Sequence, residues 1–141
     1  MKATITHTCG HEETHQIDGP QKLRQGRIDW LAGTLCHECY IAERDAERAK
    51  ANQAATDANA EAGLPALQGS PKQIAWAETI RATGLESIDE LMAHNTNLSA
   101  DQTATVERAT TGLKAEISAG WWIEHQKEDG KSLLRHFARK Q

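Results

Sequence analysis

The sequence has few of the residues that build a large hydrophobic core. Its 141 residues include four tryptophans, one tyrosine and one phenylalanine, and hydrophobic residues make up only 38% of the chain. This length suits one ordinary domain or two very small ones, and it excludes several domains of ordinary size. We therefore expect small, individually weak cores in an elongated or two-lobed molecule.

Long apolar runs are also lacking. No stretch approaches the roughly 18 apolar residues that indicate a membrane-spanning helix, and residues 1–6 lead into no apolar run of signal-peptide length. We expect a cytoplasmic protein without a membrane partner. The 16 Lys and Arg residues against 20 Asp and Glu residues give a formal charge of -4. This balance argues against a general nucleic-acid coat, although it allows a local basic patch.

The cysteines are too few, and odd in number, for a disulfide framework: they are Cys9, Cys36 and Cys39. Such a set fits a reducing compartment in which thiolates bind metal. The Cys36-x-x-Cys39 spacing stands just before a long helical pattern and is the strongest chemical signal in the chain. Both thiolates can face one ion because a knuckle folds backbone amides toward the sulfurs, and the helix N-terminus stabilises their charge.

Two more ligands are needed to close a tetrahedral site around this pair. Cys9 and His11 share a corner at Gly10, and residues i and i+2 of an extended strand point the same way. We therefore predict a closed, structural Zn²⁺ site formed by Cys9, His11, Cys36 and Cys39, with no position for activated water. The competing histidine ligands are His7, His15 and His37. The alternative to a metal site is three unmetallated cysteines in a core.

The N-terminal half of the sequence predicts a β-hairpin and two helices. Residues 3–17 alternate with period 2 around the Cys9–Gly10 corner, which indicates two short strands. A helix is expected from about Gln21 to Leu31. Beyond Cys39 the chain is rich in alanine and lacks Gly and Pro until Gly63, which predicts a helix of roughly 20 residues.

The C-terminal half predicts a helical bundle. Capping boxes at Ser70 and Ser99 begin two helices. We expect the first to end at Gly84, before a short helix over residues 86–92, and the second to reach Trp121. A last short helix is expected over residues 132–140. The predicted class is α+β, mostly α, with residues 1–62 as a zinc-binding module with its long helix, 63–70 as a linker and 71–141 as a helical module.

Partner-binding residues are predicted near the C-terminus. Trp121 continues the line of Ile117 and is expected in the core, which leaves Trp122 at the edge as an interface anchor or as a seal of the bundle. The basic residues Lys131, Arg135 and Arg139 recur at every fourth position of the last helix. They could bind a partner or phosphates, or simply suit the helix dipole.

Several segments resemble a loosely defined group of small bacterial and phage proteins with a zinc-ribbon or treble-clef-like module. They are Ile5–His11, Leu35–Tyr40, Ser70–Arg81 and Ala119–Glu124. The resemblance implies a treble-clef-like N-terminal fold and an accessory or anti-defence role. The group is of unknown role, so the resemblance implies no particular biochemical activity. The sequence departs from the group at His37, where such knuckles often have Pro.

The sequence contains little that indicates an enzyme. A formal match to zinc deaminases, His11-x-Glu13 before Cys36-x-x-Cys39, is weakened by Leu35 in place of Pro and by Cys9, which fills the fourth position. We expect a non-enzymatic, zinc-stabilised protein-binding module. It is a candidate phage or mobile-element accessory protein that inhibits a host nucleic-acid or defence enzyme, in the manner of an anti-CRISPR protein. The alternative is a nucleic-acid-binding transcriptional regulator that uses the zinc module and the basic C-terminal helix. A homodimer is compatible with either hypothesis.

Overall fold

A computed structural model describes residues 1–138, which form a β-hairpin followed by helices. The elements are β1 (Lys2–Thr6), β2 (Glu12–Gln16), α1 (Gln21–Ala32), α2 (His37–Glu61), α3 (Pro71–His94), α4 (Ala100–Lys114), α5 (Ala119–Glu124) and α6 (Gly130–Ala138). The predicted α+β, mostly helical class is confirmed. None of the described helices is both long and apolar enough to cross a membrane.

The hairpin and α1 enclose the smaller of two cores. β1 and β2 pair antiparallel, with Ala3 opposite His15 and Ile5 opposite Glu13. The period-2 alternation places Ile5 on the buried face, where it forms a core with Ile17 and Leu31. So few buried apolar side chains leave this part of the chain dependent on other sources of stability.

Helix α1 forms where the sequence predicts it, and one of its faces packs against the hairpin. Ile28 and Leu31 pack toward the hairpin core, while Leu23 is 62% exposed and Trp30 is 60% exposed. Leu23, Arg27 and Trp30 therefore lie on the outer side of the helix.

The chain divides into two compact units, the first spanning Met1–Arg48 and the second beginning at Ala49. The division thus falls inside α2 and differs from the boundary predicted at residues 63–70. The second half of α2 belongs with α3 because Asn59 Nδ2 donates to a Glu78 carboxylate oxygen at 2.6 Å. The Thr79 hydroxyl also donates to Asn52 Oδ1 at 2.5 Å.

The segment predicted as a linker is part of the second unit. Leu67 is buried in its core, and Gln68 forms a parallel bridge with Ser118. Gln68 N–H donates to the Ile117 carbonyl at 2.6 Å, and Ala119 N–H donates to the Gln68 carbonyl at 2.9 Å. These bonds fix the backbone of the segment to the chain just before α5.

The larger core lies among α3, α4, α5 and α6. Its buried residues are Leu67, Ala77, Ile88, Ala109, Leu113, Ala119, Trp122, Leu133 and Leu134. Helix α3 runs without a break through Gly84, so the helix end predicted there is wrong. A Cβ at Gly84 would lie 3.0 Å from Leu133 Cδ1 and 3.3 Å from Trp122 Cζ3. This glycine allows neighbouring side chains to approach α3 closely.

Helix α4 ends at Lys114, so the prediction that it continues to Trp121 is also wrong. The fully buried Arg81 donates through Nη2 to the Lys114 carbonyl at 2.9 Å, and this bond satisfies one of the carbonyls that the helix end leaves free. Helix α5 then begins anew, with Ser118 Oγ accepting from Trp121 N–H at 3.2 Å. The capping boxes predicted at Ser70 and Ser99 are both present.

Candidate metal centre

The tip of the hairpin supplies the first half of a Cys/His cluster. Cys9 and His11 lie between the strands, where His7 N–H donates to the His11 carbonyl and Gly10 N–H donates to the His7 carbonyl, both at 2.9 Å. Gly10 has a φ of 85°, a left-handed conformation that glycine adopts at little cost. The turn thus places Cys9 and His11 at the same corner.

The start of α2 supplies the second half of the cluster. Cys36 directly precedes α2, and Cys39 lies in its first turn. The Cys39 N–H donates to Cys36 Sγ at 3.4 Å, which is the amide-to-sulfur contact predicted from the spacing. Cys36 is buried, and Cys39 is half-buried.

The four side chains meet at distances suited to one metal ion. Their ligand atoms, from Cys9, His11, Cys36 and Cys39, all lie within 4.8 Å of one another. His11 Nδ1 is 3.6 Å from Cys36 Sγ and 3.3 Å from Cys39 Sγ. A tetrahedral ion with ordinary bonds to sulfur and nitrogen would separate such atoms by about 3.6 Å. The predicted ligand set can therefore hold a metal ion.

Two thiols in this cluster differ strongly in acidity. Backbone N–H groups of Cys36 and His11 lower the pKa of Cys9 to about 6. The neighbouring Cys36 side chain, followed by burial, raises the pKa of Cys39 to about 12. Neighbouring thiolates repel one another, so several of these sulfurs are not readily deprotonated together without a counter-charge. A divalent cation at the centre of the cluster would offset this repulsion.

The competing histidines have other partners. His7 Nε2 lies 3.0 Å from His15 Nε2, and both form a separate cluster with Glu13. His37 turns its backbone N–H toward the Glu13 carboxylate, with distances of 3.3 and 3.4 Å to the two oxygens. The structure thus brings His11, rather than these histidines, into the cysteine cluster.

Within residues 1–138, two other groups of ligand-type side chains come together that the sequence did not predict: His7, Glu13 and His15, and His125, Glu128 and His136. A signal for the first existed, because Glu13 and His15 are two residues apart on a strand and share a face. The second group brings together side chains from the end of α5, the loop after it and α6, and no local spacing signals it.

Trp122 is not the edge residue that the sequence predicted. It is fully buried, and its Nε1 donates to the Glu116 carbonyl at 3.2 Å. Trp121 is the half-buried member of the pair and stacks on His125 at 4.2 Å. The break between α4 and α5 changes the helical phase, so Trp121 no longer continues the line of Ile117. Trp122 therefore cannot be an exposed anchor in this fold.

The basic residues of α6 lie beside an apolar cavity. Lys131 and Arg135 are exposed one turn apart, and they line a cavity of about 300 Å³ together with Leu91, Val106 and Leu134. Arg139, the third predicted residue of this group, lies outside the described residues.

The first unit is thus a small α+β unit whose Cys/His cluster can hold a metal ion. No family model, curated protein or solved structure matches the chain.

Proposed function

We propose that the protein is a non-enzymatic, zinc-stabilised protein-binding module that docks its partner on α1. Three thiols and one imidazole at tetrahedral spacing are the donors that structural zinc prefers. Four protein ligands leave no coordination position for a reacting water. Zinc at this centre would tie the hairpin to the start of α2 and compensate for the small core of the first unit.

The observation that carries the proposal is the exposed outer side of α1. Leu23, Arg27 and Trp30 recur at i, i+4 and i+7 and so share one side of the helix; we call them the α1 face. The guanidinium of Arg27 lies 5.0 Å from the centre of the Trp30 ring. Trp and Arg are enriched among the residues that dominate binding energy in protein interfaces. The α1 face thus has the composition of a docking surface.

Exposed apolar side chains are concentrated in the first unit. Among the described residues, the large exposed hydrophobic side chains of this unit are Met1, Leu23, Trp30, Tyr40 and Ile41, whereas the second unit exposes Trp76. The unit that can bind the metal therefore exposes most of the large hydrophobic side chains found at the surface of the described residues. Of these side chains, Leu23 and Trp30 share one side of α1, and exposed apolar side chains that share one surface can mark an interaction site.

The charges of α1 indicate the chemistry of the partner. The helix contains three basic residues, Lys22, Arg24 and Arg27, against the single acid Asp29. We propose a protein partner with an apolar groove and an acidic rim. The identity suggested by the sequence, a host nucleic-acid or defence enzyme inhibited by a phage-encoded protein, is part of this proposal.

Site-specific crosslinking followed by affinity measurement tests the docking surface. A photoreactive amino acid replaces Trp30, the crosslinked protein from source cells is identified by mass spectrometry, and the purified partner is titrated with the zinc-loaded chain. We expect Trp30→Ser to raise the Kd about 30-fold, equivalent to about 2 kcal/mol. Trp76→Ser, which removes an exposed tryptophan from the second unit, is the matched control and should change the Kd less than threefold.

Three results would count against the α1 face. Unchanged affinity of Trp30→Ser would remove the proposed surface. If this chain binds nucleic acid, and the double variant Lys131→Glu, Arg135→Glu loses that binding, the result would favour the alternative of a nucleic-acid-binding regulator that uses α6. Concentration-dependent self-association in sedimentation, abolished by Trp30→Ser, would identify a second copy of the chain as the occupant instead.

A further inference from the structure

A second set of ligand-type side chains lies on the hairpin. His7 follows β1, while Glu13 and His15 belong to β2. The strand register pairs Ala3 with His15 and Ile5 with Glu13. Because side chains alternate along a strand, His7, Glu13 and His15 all turn to the same face of the hairpin as Ile5.

The three ligand atoms form a triangle of the size that a metal ion requires. His7 Nε2 is 3.0 Å from His15 Nε2. Glu13 Oε2 is 3.4 Å from His7 Nε2 and 3.5 Å from His15 Nε2. The centre of such a triangle is about 1.9 Å from each corner, so an ion bonded at the usual 2.0–2.1 Å fits just off its plane.

His7 is oriented so that a lone pair on its Nε2 faces the centre of this triangle. His7 Nδ1 lies 3.1 Å from the Thr34 carbonyl oxygen, which can only accept, so the neutral ring carries its hydrogen on Nδ1. Nε2 is then an acceptor that faces His15 and the Glu13 carboxylate. A single hydrogen on His15 Nε2 cannot fully satisfy both His7 Nε2 and the Glu13 carboxylate. A cation bound by His7, Glu13 and His15 would satisfy all three side chains. A histidine ligand fixed through its other nitrogen is a common feature of metal sites.

Glu13 is also held in place, and the cluster is open on one side. The His37 N–H, at the start of α2, approaches both oxygens of the Glu13 carboxylate. The side chain of His7 is only 2% exposed, while those of Glu13 and His15 are 28% and 27% exposed. An ion can therefore enter from the Glu13 and His15 side and keep water on its remaining position.

We propose that His7 Nε2, His15 Nε2 and a Glu13 carboxylate oxygen bind one first-row divalent transition-metal ion of the zinc type. Two imidazole nitrogens favour such an ion over Mg²⁺ or Ca²⁺, which prefer oxygen ligands. This site is separate from the Cys/His centre in its ligands and differs from it in having an open position. It does not depend on the partner proposed for α1.

Cobalt titration of the 141-residue chain distinguishes the two sites. The chain is first loaded with one equivalent of Zn²⁺ and then titrated with Co²⁺. We expect one further equivalent with visible cobalt bands but without the near-ultraviolet absorption of cobalt bound to thiolate. His15→Ala should weaken this second binding more than about 100-fold, beyond the 10–100-fold effect typical of outer-shell changes.

The matched control is His125→Ala, which disrupts the other described His and Glu cluster and should leave the second binding unchanged. His15→Ala must still bind one cobalt with thiolate absorption, which shows that the hairpin tip is intact. If His15→Ala does not fold, Glu13→Gln decides the question, because the amide oxygen still accepts from the His37 N–H but is a poorer ligand. Absence of a second equivalent, or its persistence in the folded His15→Ala or Glu13→Gln variant, would leave a hydrogen-bonded cluster only and overturn the proposal.

Discussion

His11 Nδ1 lies 3.3 Å from Cys39 Sγ, although the two residues are 28 positions apart in the chain. The contact joins the hairpin tip to the first turn of α2. Because the first unit buries few apolar side chains, this junction is where a metal ion would contribute most to its stability.

Cys39→Ser should remove one bound zinc per chain relative to the wild type. The substitution replaces a thiolate ligand with a hydroxyl that holds zinc poorly, so metal and part of the folding free energy are lost together. Elemental analysis after gel filtration measures the ion, and thermal unfolding measures the stability. His37→Ala is the matched control, since this exposed side chain lies between the two cysteines but outside the ligand cluster. Equal zinc content in Cys39→Ser would contradict the ligand set.

Arg81→Met should destabilise the second unit strongly. Arg81 is fully buried and donates to the Pro65 carbonyl at 2.8 Å and to the Lys114 carbonyl at 2.9 Å. Burial lowers the pKa of Arg81, while the charge of Glu78 raises it. Removing the guanidinium leaves both carbonyls without this donor, and we expect a loss of about 2–5 kcal/mol. Urea unfolding measures the change, and Arg108→Met, at an exposed position of α4, should stay within about 0.5 kcal/mol of the wild type.

Gly130→Ala should reduce stability, whereas Gly120→Ala should not. A Cβ at Gly130 would lie 3.1 Å from backbone atoms of Ser87 and Ile88, and backbone cannot move aside as a flexible side chain can. We expect a loss of about 1–3 kcal/mol. At Gly120 the nearest atom to an added Cβ is Ser118 Oγ at 3.7 Å, so the better helix propensity of Ala should be neutral or stabilising by up to about 1 kcal/mol. Equal unfolding free energies for the two variants would contradict the close approach of α3 and α6.

Asp129 should make stability depend on pH in the acid range. Its Oδ1 accepts from the Ser132 N–H at 2.8 Å, near the start of α6. This backbone bond, followed by one from the Ser132 side chain, holds the pKa of Asp129 below its ordinary value of 3.8. A pKa lowered by folding contributes stability that is present above the unfolded pKa and is lost as pH falls through the folded pKa.

The corresponding variant is Asp129→Ala, which should have a lower Tm than the wild type at pH 7. The difference should shrink as the pH falls below about 4, because the wild-type carboxylate becomes protonated. Asp129→Asn retains a neutral acceptor and should lose less at pH 7. A Tm difference between Asp129→Ala and the wild type that stays constant from pH 7 to pH 3 would show that the charge has no part in capping α6.

Short-range patterns predicted much of the fold and the candidate site. The capping boxes at Ser70 and Ser99 involve residues three positions apart, and the long helix α2 follows from its alanine content. The candidate metal ligands could be predicted because few residue types bind such an ion and the spacing of Cys36 and Cys39 is itself a local signal. Spacing alone leaves His7 and His11 as alternatives, because each is two residues from Cys9. In the fold His7 lies against His15, and His11 joins the cysteines.

The tertiary structure alone decided which side chains are buried. Trp122 is in the core and Trp121 at its edge because four residues between α4 and α5 reset the helical phase, and the bonds of Gln68 and Arg81 that fix this break come from distant parts of the chain. Gly84 lies inside α3, at a position where Trp122 and Leu133 approach so closely that an added Cβ would crowd them. Sequence by itself determined where α3 and α4 begin and that Cys36 and Cys39 could share a metal ion, since both depend on neighbours along the chain. Burial depends on which surfaces meet in space, and for this reason the exposed α1 face became visible only in the folded protein.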